Sequence, residues 1–217
     1  MTIPTHIKGV IFDMDGLLID SEPYWEKADA ALFKRHGKHH TPAINKYIMG
    51  MKPSEIVVYF KKEYGFETEP EALLEERMSL LYEFLLADLT LMPGAKKLIQ
   101  QLSTDGYRLA IATSGHSQEK ASQIAERCGI RDYFSAIVSG DDVAKGKPAP
   151  DIFLKAAEAI GIAPEHCLVF EDAPNGVQAG KAAGMIVYGV NHEISIRSRL
   201  EESNADTVLT VLANYKQ

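Results

Sequence analysis

The sequence predicts an α/β protein with a Rossmann-like parallel sheet as its core and an all-helical domain inserted after the first strand. Short apolar, β-favouring runs alternate with helical stretches of crossover length from about residue 94 onward. Between residues 17 and 92 this alternation gives way to long amphipathic helical patterns without a convincing strand. Together these two observations predict a sheet-based core interrupted by a helical insertion.

The core elements follow from local pattern. Five apolar runs, each bounded by Gly, Pro, Ser or Asp, are predicted as strands: Ile7–Phe12, Leu109–Ala112, Ala136–Val138, Leu168–Phe170 and Ile186–Val190. The predicted crossover helices are Gly94–Leu102, Gln118–Cys128, Pro150–Ile160 and Val177–Ala183. A glycine lies close after each helical pattern, where a left-handed residue ends a helix favourably.

The inserted domain is predicted from three helical patterns, Pro23–Arg35, Pro53–Tyr64 and Pro70–Ala87. The expected division is residues 1–16 with 93–217 for the α/β core, and residues 17–92 for the helical domain. We expect the helical domain to act as a cap over the active face of the core.

Composition narrows the class of partner. The chain has 217 residues, is 46% hydrophobic, and has 23 Lys plus Arg against 30 Asp plus Glu, a net charge of −7. Without a basic run, nucleic acid is excluded as an expected partner, and no apolar run approaches the roughly 18 residues of a membrane span. The widely spaced Cys128 and Cys167 are typical of buried thiols in a reducing compartment. We expect a cytoplasmic protein.

Chemistry-bearing residues follow the predicted strands directly. Because ligands bind at the carboxyl ends of parallel strands, these residues are expected at one rim. They are Asp13, Asp15, Thr113, Ser114, Lys147, Glu171 and Asp172. Four carboxylates repel one another unless a divalent cation compensates them, and Mg²⁺ is the hard cation that carboxylates and phosphates share. The sequence therefore predicts a Mg²⁺ site at this rim.

Each of these residues also has a purely structural interpretation. Asp13 to Gly16 could form a turn, Lys147 could be a solvated surface lysine, and Thr113 could cap the next helix. The occurrence of all of them in order after successive strands favours a functional site. His36, His39 and His40 could also bind a metal, but no Cys or carboxylate lies near them in sequence, and a solvated loop is the interpretation we prefer.

These motifs resemble the haloacid dehalogenase superfamily, over essentially the whole chain. Its four motifs occur in order as Asp13-Met14-Asp15-Gly16, Ile111-Ala112-Thr113, Lys147-Pro148 and Glu171-Asp172. Wider segments are similar to its β-phosphoglucomutase-like and pseudouridine-5′-phosphatase-like branch, which has a helical cap. They are Asp20-Ser21-Glu22-Pro23, Leu91-Met92-Pro93-Gly94 and Phe170 to Gly176.

The resemblance implies an Mg²⁺-dependent phosphatase acting on a small phosphate monoester through an aspartyl phosphate. Asp13 is then the nucleophile and Asp15 the general acid and base. Thr113 would bind the phosphoryl oxygens, and Lys147 would neutralise charge. The implied metal ligands are Asp13, the Asp15 carbonyl, Glu171 and Asp172, and the implied substrate-binding residues are Ser114, Gly115, Trp25 and Lys52.

Two residues discriminate between a phosphatase and a mutase. The sugar-phosphate mutases of this branch carry a His where this chain has Trp25, and an Arg where it has Pro53. Both departures favour hydrolysis, although a mutase stays the alternative. Trp25 is either a core anchor or an apolar wall of the substrate pocket, while Lys52 and Arg77 either hold a charged leaving group or are surface charge.

Other functional classes stay open at this stage. Receiver domains also place acidic residues, a Thr or Ser and a Lys at strand ends, but they carry no large insertion after the first strand. A catalytically silent phosphosugar-binding module is the third possibility, and the retention of both Asp13 and Asp15 argues against it. Within the phosphatase interpretation, the segment from Tyr47 to Gly50 is similar to the pseudouridine-phosphatase type, which favours a sugar or nucleoside phosphate. We expect a monomer.

Overall fold

Two units make up the chain in the computed structural model, which describes residues 3–48, 51 and 53–214. One unit consists of Met1–Asp20 and Thr90–Gln217, and the other of Ser21–Leu89. The first contains all the strands of the described residues and the second contains only helices.

The first unit is built on a six-stranded parallel sheet with the order β3-β2-β1-β4-β5-β6. Its strands are β1 (Gly9–Phe12), β2 (Arg108–Thr113), β3 (Ala136–Ser139), β4 (Cys167–Glu171), β5 (Ile186–Val190) and β6 (Thr207–Leu209). The first strand is central and pairs with β2 on one side and β4 on the other. The carboxyl ends of these three strands therefore lie side by side.

Helices cover the sheet because its central strands are buried on both faces, as in other parallel sheets. The helices of this unit are α5 (Ala95–Thr104), α6 (Gln118–Arg127), α7 (Asp151–Ile160), α8 (Pro174–Ala182) and α9 (Ile194–Glu202). A core cluster joins Phe153 and Ala156 of α7 to Ile11 of β1 and Val169 of β4. This packing holds the strand ends, and the loops that follow them, in fixed positions.

The second unit contains α1 (Glu22–Arg35), α2 (Pro42–Ile48), α3 (Pro53–Tyr64) and α4 (Pro70–Asp88). Phe33 of α1 is fully buried at its centre and packs edge to face on Phe60, Tyr64 and Phe66, with ring centroids 4.9 to 5.1 Å apart. The unit thus has an aromatic core of its own.

The predicted fold class is confirmed, and the five predicted strands and seven predicted helices all occur with small changes in their bounds. Among the α-helices and strands of the described residues, three were not predicted: α2, α9 and the edge strand β6. The second half of the sheet therefore extends one strand further than the sequence indicated. No helix among residues 3–48 and 53–214 is both long and apolar enough to cross a bilayer.

Candidate active site

Acidic residues at the carboxyl ends of β1 and β4 meet around one lysine. Lys147 lies in the loop between β3 and α7, and its Nζ is 2.5 Å from Asp13 Oδ1 and 2.6 Å from Glu171 Oε1. The side chains of Asp13 and Lys147 are 10% exposed and that of Glu171 is 1% exposed. The structure thus brings three of the predicted residues into one buried ion-pair network.

This network contains more negative than positive charge. One lysine faces the carboxylates of Asp13 and Glu171, and the Asp172 carboxylate lies beside them, with one oxygen from each of the three carboxylates within 4.8 Å of the others. Burial raises the pKa of Asp13 to about 7; Lys147 opposes the shift, while Glu171 and Asp15 add to it. Burial also raises the pKa of Asp172 well above its usual value, with Glu171 and Asp13 contributing.

Lys147 itself stays protonated. Burial alone would lower the pKa of Lys147, but the charges of Asp13 and Glu171 and the hydrogen bonds to them outweigh burial and raise it. Its positive charge is therefore permanent but insufficient for the surrounding carboxylates. The donor set fits Mg²⁺, which prefers hard carboxylate oxygens and would supply the missing positive charge.

Glycines make room for two of these carboxylates. A Cβ atom on Gly176, in the first turns of α8, would lie 1.7 Å from Glu171 Oε1. Gly16 has a φ of +76°, and a Cβ there would lie 2.1 Å from Asp172 Oδ2. Glu171 is held further by the Ala173 amide, which donates to Oε2 at 2.8 Å. These glycines are thus required by the close approach of the acidic side chains.

Asp15 belongs to a second cluster, formed with the loop after β2. Thr113 Oγ1 lies 3.4 Å from Asp15 Oδ2, and the Gly115 amide donates to the same hydroxyl at 3.3 Å. His116 Nε2 lies 3.0 Å from Asp15 Oδ1. Asp15 is therefore held by the loop that the sequence identified as phosphate-binding.

His116 is a residue of this site that was not predicted from the sequence. Its side chain is fully buried, and burial would lower the pKa of His116, but the charge of Asp15 and the hydrogen bond to it outweigh burial and raise it. The available signal was its place three residues after Thr113, in a loop already under consideration. Asn191, directly after β5, was also missed, and its Nδ2 donates to the Asp172 carbonyl at 3.4 Å.

The remaining predicted substrate residues are placed differently. Ser114 is exposed and Gly115 half-buried in the loop after β2. Trp25 belongs to the helical unit, where the Arg77 guanidinium stacks on its ring at 4.4 Å. Lys52 lies outside the described residues.

Arg77 is neither surface charge nor a free cation. It is 2% exposed and forms a two-point ion pair with Asp29, at 2.6 and 3.0 Å, inside the helical unit. This arrangement corrects the interpretation of Arg77 as exposed charge, and it gives Trp25 a packing partner. The interpretation of the histidines after α1 as a solvated loop fits the exposed His39 but not the half-buried His36, whose Nε2 lies 2.8 Å from Glu76 Oε2.

Removal of one carboxylate should weaken metal binding without unfolding the protein. We expect millimolar MgCl₂ to raise the midpoint of thermal unfolding of the wild type and to raise that of Asp172→Asn less. The exposed Asp141, outside the cluster, supplies the matched control Asp141→Asn, which should respond as the wild type does. Equal shifts in all three proteins would contradict a Mg²⁺ site at Asp172.

The rise in the unfolding midpoint that Mg²⁺ causes should depend on pH. The pKa of Asp13 rises from 3.8 to about 7 in the folded protein. Protonation of Asp13 therefore stabilises the folded state fully below pH 3.8, and this stabilisation is lost as the pH rises through about 7. Mg²⁺ binds the ionised carboxylates, and its stabilising effect should therefore be larger at pH 8 than at pH 5. The check is thermal unfolding with and without Mg²⁺ at both pH values.

Comparison with known proteins identifies the family. The model of the haloacid dehalogenase-like hydrolases matches residues 7–184. The "Phosphorylated carbohydrates phosphatase" of Thermotoga maritima is 32% identical over 204 residues, 92% of each chain. The "Probable pseudouridine-5'-phosphatase" of Drosophila melanogaster is 34% identical over 211 residues, 95% of this chain and 90% of the relative. A Thermotoga maritima crystal structure, provisionally named beta-phosphoglucomutase, has a TM-score of 0.85 at 31% identity and covers 95% of each chain. This chain therefore belongs to the haloacid dehalogenase-like hydrolases, with a structure of the β-phosphoglucomutase-like type.

Proposed function

We propose that this protein is an Mg²⁺-dependent phosphatase that hydrolyses a small phosphate monoester through an aspartyl phosphate on Asp13. The observation that carries the proposal is the pair of differently held carboxylates on one short loop. Asp13 lies against Lys147, while Asp15, two residues later, is held by Thr113 and His116. This difference supports attack by Asp13 and proton transfer by Asp15.

The reaction then has two steps. In the first, an Asp13 carboxylate oxygen forms a bond to phosphorus, the bond from phosphorus to the leaving oxygen breaks, and Asp15 gives its proton to that oxygen. In the second, water attacks phosphorus, Asp15 takes up a proton of the water, and the bond between Asp13 and phosphorus breaks. Phosphate is released and both carboxylates return to their starting states.

Positive charge and hydrogen bonds stabilise the phosphoryl group during both steps. Lys147, already within 2.5 Å of Asp13, offsets charge as Asp13 and the phosphoryl group approach each other. Thr113 can transfer its long hydrogen bond from Asp15 to a phosphoryl oxygen. Mg²⁺, held by Asp13, the Asp15 carbonyl, Glu171 and Asp172, would add positive charge at the transferring phosphoryl group.

The helical unit acts in this proposal as the cap that excludes bulk water and selects the leaving group. Trp25 would supply apolar surface for the substrate, and its stacking on the buried Arg77 holds its ring in place within that unit. Lys52, Ser114 and Gly115 stay predictions as further substrate contacts. The protein is proposed to be a cytoplasmic monomer whose partner is a small phosphorylated metabolite.

The substrate class is proposed as a sugar or nucleoside phosphate. The names of two phosphatase relatives, one for phosphorylated carbohydrates and one for pseudouridine 5′-phosphate, support both members of this class. The structural neighbour with a mutase name keeps sugar-phosphate isomerisation as the second candidate. Trp25 and Pro53, at positions where the mutases carry His and Arg, favour hydrolysis.

The loss of kcat/KM on replacement of Asp15 should depend on the leaving group of the substrate. We expect Asp15→Asn to reduce kcat/KM for alkyl phosphates by about 10²- to 10⁴-fold and for p-nitrophenyl phosphate by much less, because a good leaving group needs little protonation. The measurement is kcat/KM for both substrates in wild type and variant. Equal losses on the two substrates would remove Asp15 from the role of acid.

The proposed function is tested with a panel of phosphate monoesters. Phosphate release from hexose, pentose, nucleoside, glycerol, glycolate and flavin phosphates is measured with Mg²⁺ and with a chelator, and glucose 1-phosphates are assayed in parallel for isomerisation. Release that requires Mg²⁺ would support the phosphatase. Isomerisation without release would favour the mutase, and no reaction of either kind would favour the phosphosugar-binding module.

A further inference from the structure

The loop between β2 and α6 is held by the end of the neighbouring strand β3. This loop, the Thr113 loop, consists of residues 113–117, and Thr113 is the register partner of Ser139, the last residue of β3. Ser139 is 1% exposed, and its Oγ donates to the His116 carbonyl at 2.8 Å. Residues 114–117 have no regular secondary structure, so their shape depends on bonds of this kind. One buried hydroxyl therefore fixes the backbone of the Thr113 loop.

Gly140, directly after β3, meets the same loop at a second point. A Cβ atom on Gly140 would lie 3.3 Å from the Ser114 Cα and 3.5 Å from the Ser114 carbonyl oxygen. Carbon atoms pack best at about 3.5 to 4.0 Å, so a methyl group at residue 140 would displace the loop. The φ of Gly140 lies outside the left-handed region, and the backbone itself would therefore accept alanine. The absence of a side chain is thus required only by the close approach of the loop.

We propose that Ser139 and Gly140 are positioning residues for the Thr113 loop and thereby set the affinity of the protein for the phosphoryl group. This inference rests on the proposed function, in which Thr113 binds the phosphoryl oxygens and Ser114 contacts the substrate. Ser139 and Gly140 act through the backbone of the loop and need not touch the substrate themselves. A donor held in place binds an oxygen more tightly than one on a shifting loop, because less binding free energy is used to order the loop.

Ser139 also has a local role in the turn that follows β3. Its Oγ accepts from the Asp141 amide at 3.1 Å, and its own amide donates to Oδ2 of the exposed Asp142 at 2.8 Å. These two bonds form a capping box at the turn. Asp142→Ala weakens the turn but leaves the Ser139 hydroxyl opposite the His116 carbonyl. Asp142→Ala is therefore the matched control for a change at Ser139.

The test measures the inhibition constant (Ki) of inorganic phosphate against hydrolysis of p-nitrophenyl phosphate at saturating Mg²⁺. A loss of folded protein lowers the apparent kcat but leaves Ki unchanged, so Ki separates positioning from a merely structural role. Ser139→Ala removes the donor, Ser139→Thr keeps a hydroxyl, and Gly140→Ala adds a methyl group against Ser114. The kcat/KM on p-nitrophenyl phosphate and on the best alkyl phosphate of the panel is measured in the same proteins.

We expect Ser139→Ala to raise Ki about three- to tenfold, the effect of one lost hydrogen bond. Its kcat/KM should fall by similar factors on both substrates, because both carry the same phosphoryl group. Gly140→Ala should change Ki and kcat/KM in the same directions. Ser139→Thr should recover most of the affinity, and the Ki of Asp142→Ala should stay within about twofold of the wild-type value.

An unchanged Ki in a folded Ser139→Ala protein would overturn the positioning role, even if kcat falls, and would leave the phosphatase intact. An equal rise of Ki in Asp142→Ala would also overturn it, because the effect would then belong to the turn. If Ser139→Ala does not fold, Gly140→Ala decides: a raised Ki supports the role and an unchanged Ki overturns it.

A wild type that hydrolyses no monoester would overturn the proposed function, and the readout would then be the rise in the unfolding midpoint that inorganic phosphate causes. A rise that is smaller in Ser139→Ala than in Asp142→Ala would still support the positioning role. An equal rise in both variants, or no rise in the wild type, would overturn the positioning role as well.

Discussion

Asp13→Asn is expected to reduce phosphate release by at least about 10³-fold on every substrate that the wild type accepts. The substitution replaces the attacking oxygen by an amide of nearly the same shape, so the loss would come from chemistry and not from the fold. It also removes a carboxylate from a cluster in which Lys147 already faces Glu171 and Asp172 lies close by. The measurement is phosphate release at saturating substrate and Mg²⁺.

Stability separates this effect from unfolding. Because burial raises the pKa of Asp13 to about 7, a neutral side chain at this position should leave the unfolding midpoint at pH 8 unchanged or higher. The matched control is Asp20→Asn, an exposed residue of the same segment, which should retain activity. Substantial phosphate release by a folded Asp13→Asn protein would refute the covalent route.

The second large effect is expected from Lys147→Met, which should lower both activity and stability. Without the lysine, Asp13 and Glu171 are left as buried carboxylates without their shared ion-pair partner. Breaking a buried ion pair from one side costs about 3–5 kcal/mol of unfolding free energy. We expect a loss of that size at pH 8 without Mg²⁺, and an activity loss of at least about 10²-fold.

The loss of stability should shrink as the pH falls. Carboxylates whose pKa is raised in the folded state bind protons there first, so acidification neutralises the uncompensated charge. Chemical denaturation at pH 8 and at pH 5 measures this difference, with the exposed Lys145→Met as the control. A Lys147→Met protein as stable as wild type at both pH values would contradict the role of Lys147 as the charge that holds the cluster together.

The central part of the fold was predictable because local and long-range signals coincide there. The strands β1, β4 and β5 are apolar runs buried on both sides. A central position in a parallel sheet covered by helices is one of the few places where such a run can bury all of its side chains. Asp13, Thr113 and Glu171 lie at the ends of these strands or of the neighbouring β2. They lie on one edge of the sheet because the carboxyl ends of parallel strands lie together.

The elements that were missed lack such local signals. The edge strand β6 has three residues and is only partly buried, so its pairing with β5 depends on tertiary contact. The seven-residue helix α2 and the largely polar helix α9 show little of the periodicity that identifies a long amphipathic helix.

Partners distant in sequence explain the missed side-chain contacts. His116 lies 101 positions from Asp15, and Arg77 lies 48 positions from Asp29. In a single sequence, His116 and Arg77 are isolated polar residues, and no local pattern connects either of them with its partner. Their contacts depend on how β2 lies beside β1 and on how α4 packs on α1.

Identification of the phosphorylated residue tests the covalent mechanism most directly. The wild type would be mixed with a substrate labelled on phosphorus and stopped in acid during turnover, and the label bound to the protein would be counted. In a parallel sample, borohydride would reduce the acyl phosphate and leave homoserine at the phosphorylated aspartate, which mass spectrometry identifies. The mechanism predicts label on Asp13 that forms with Mg²⁺ and disappears when substrate is exhausted. Turnover with no label on the protein, or with label on another residue, would contradict Asp13 as the nucleophile.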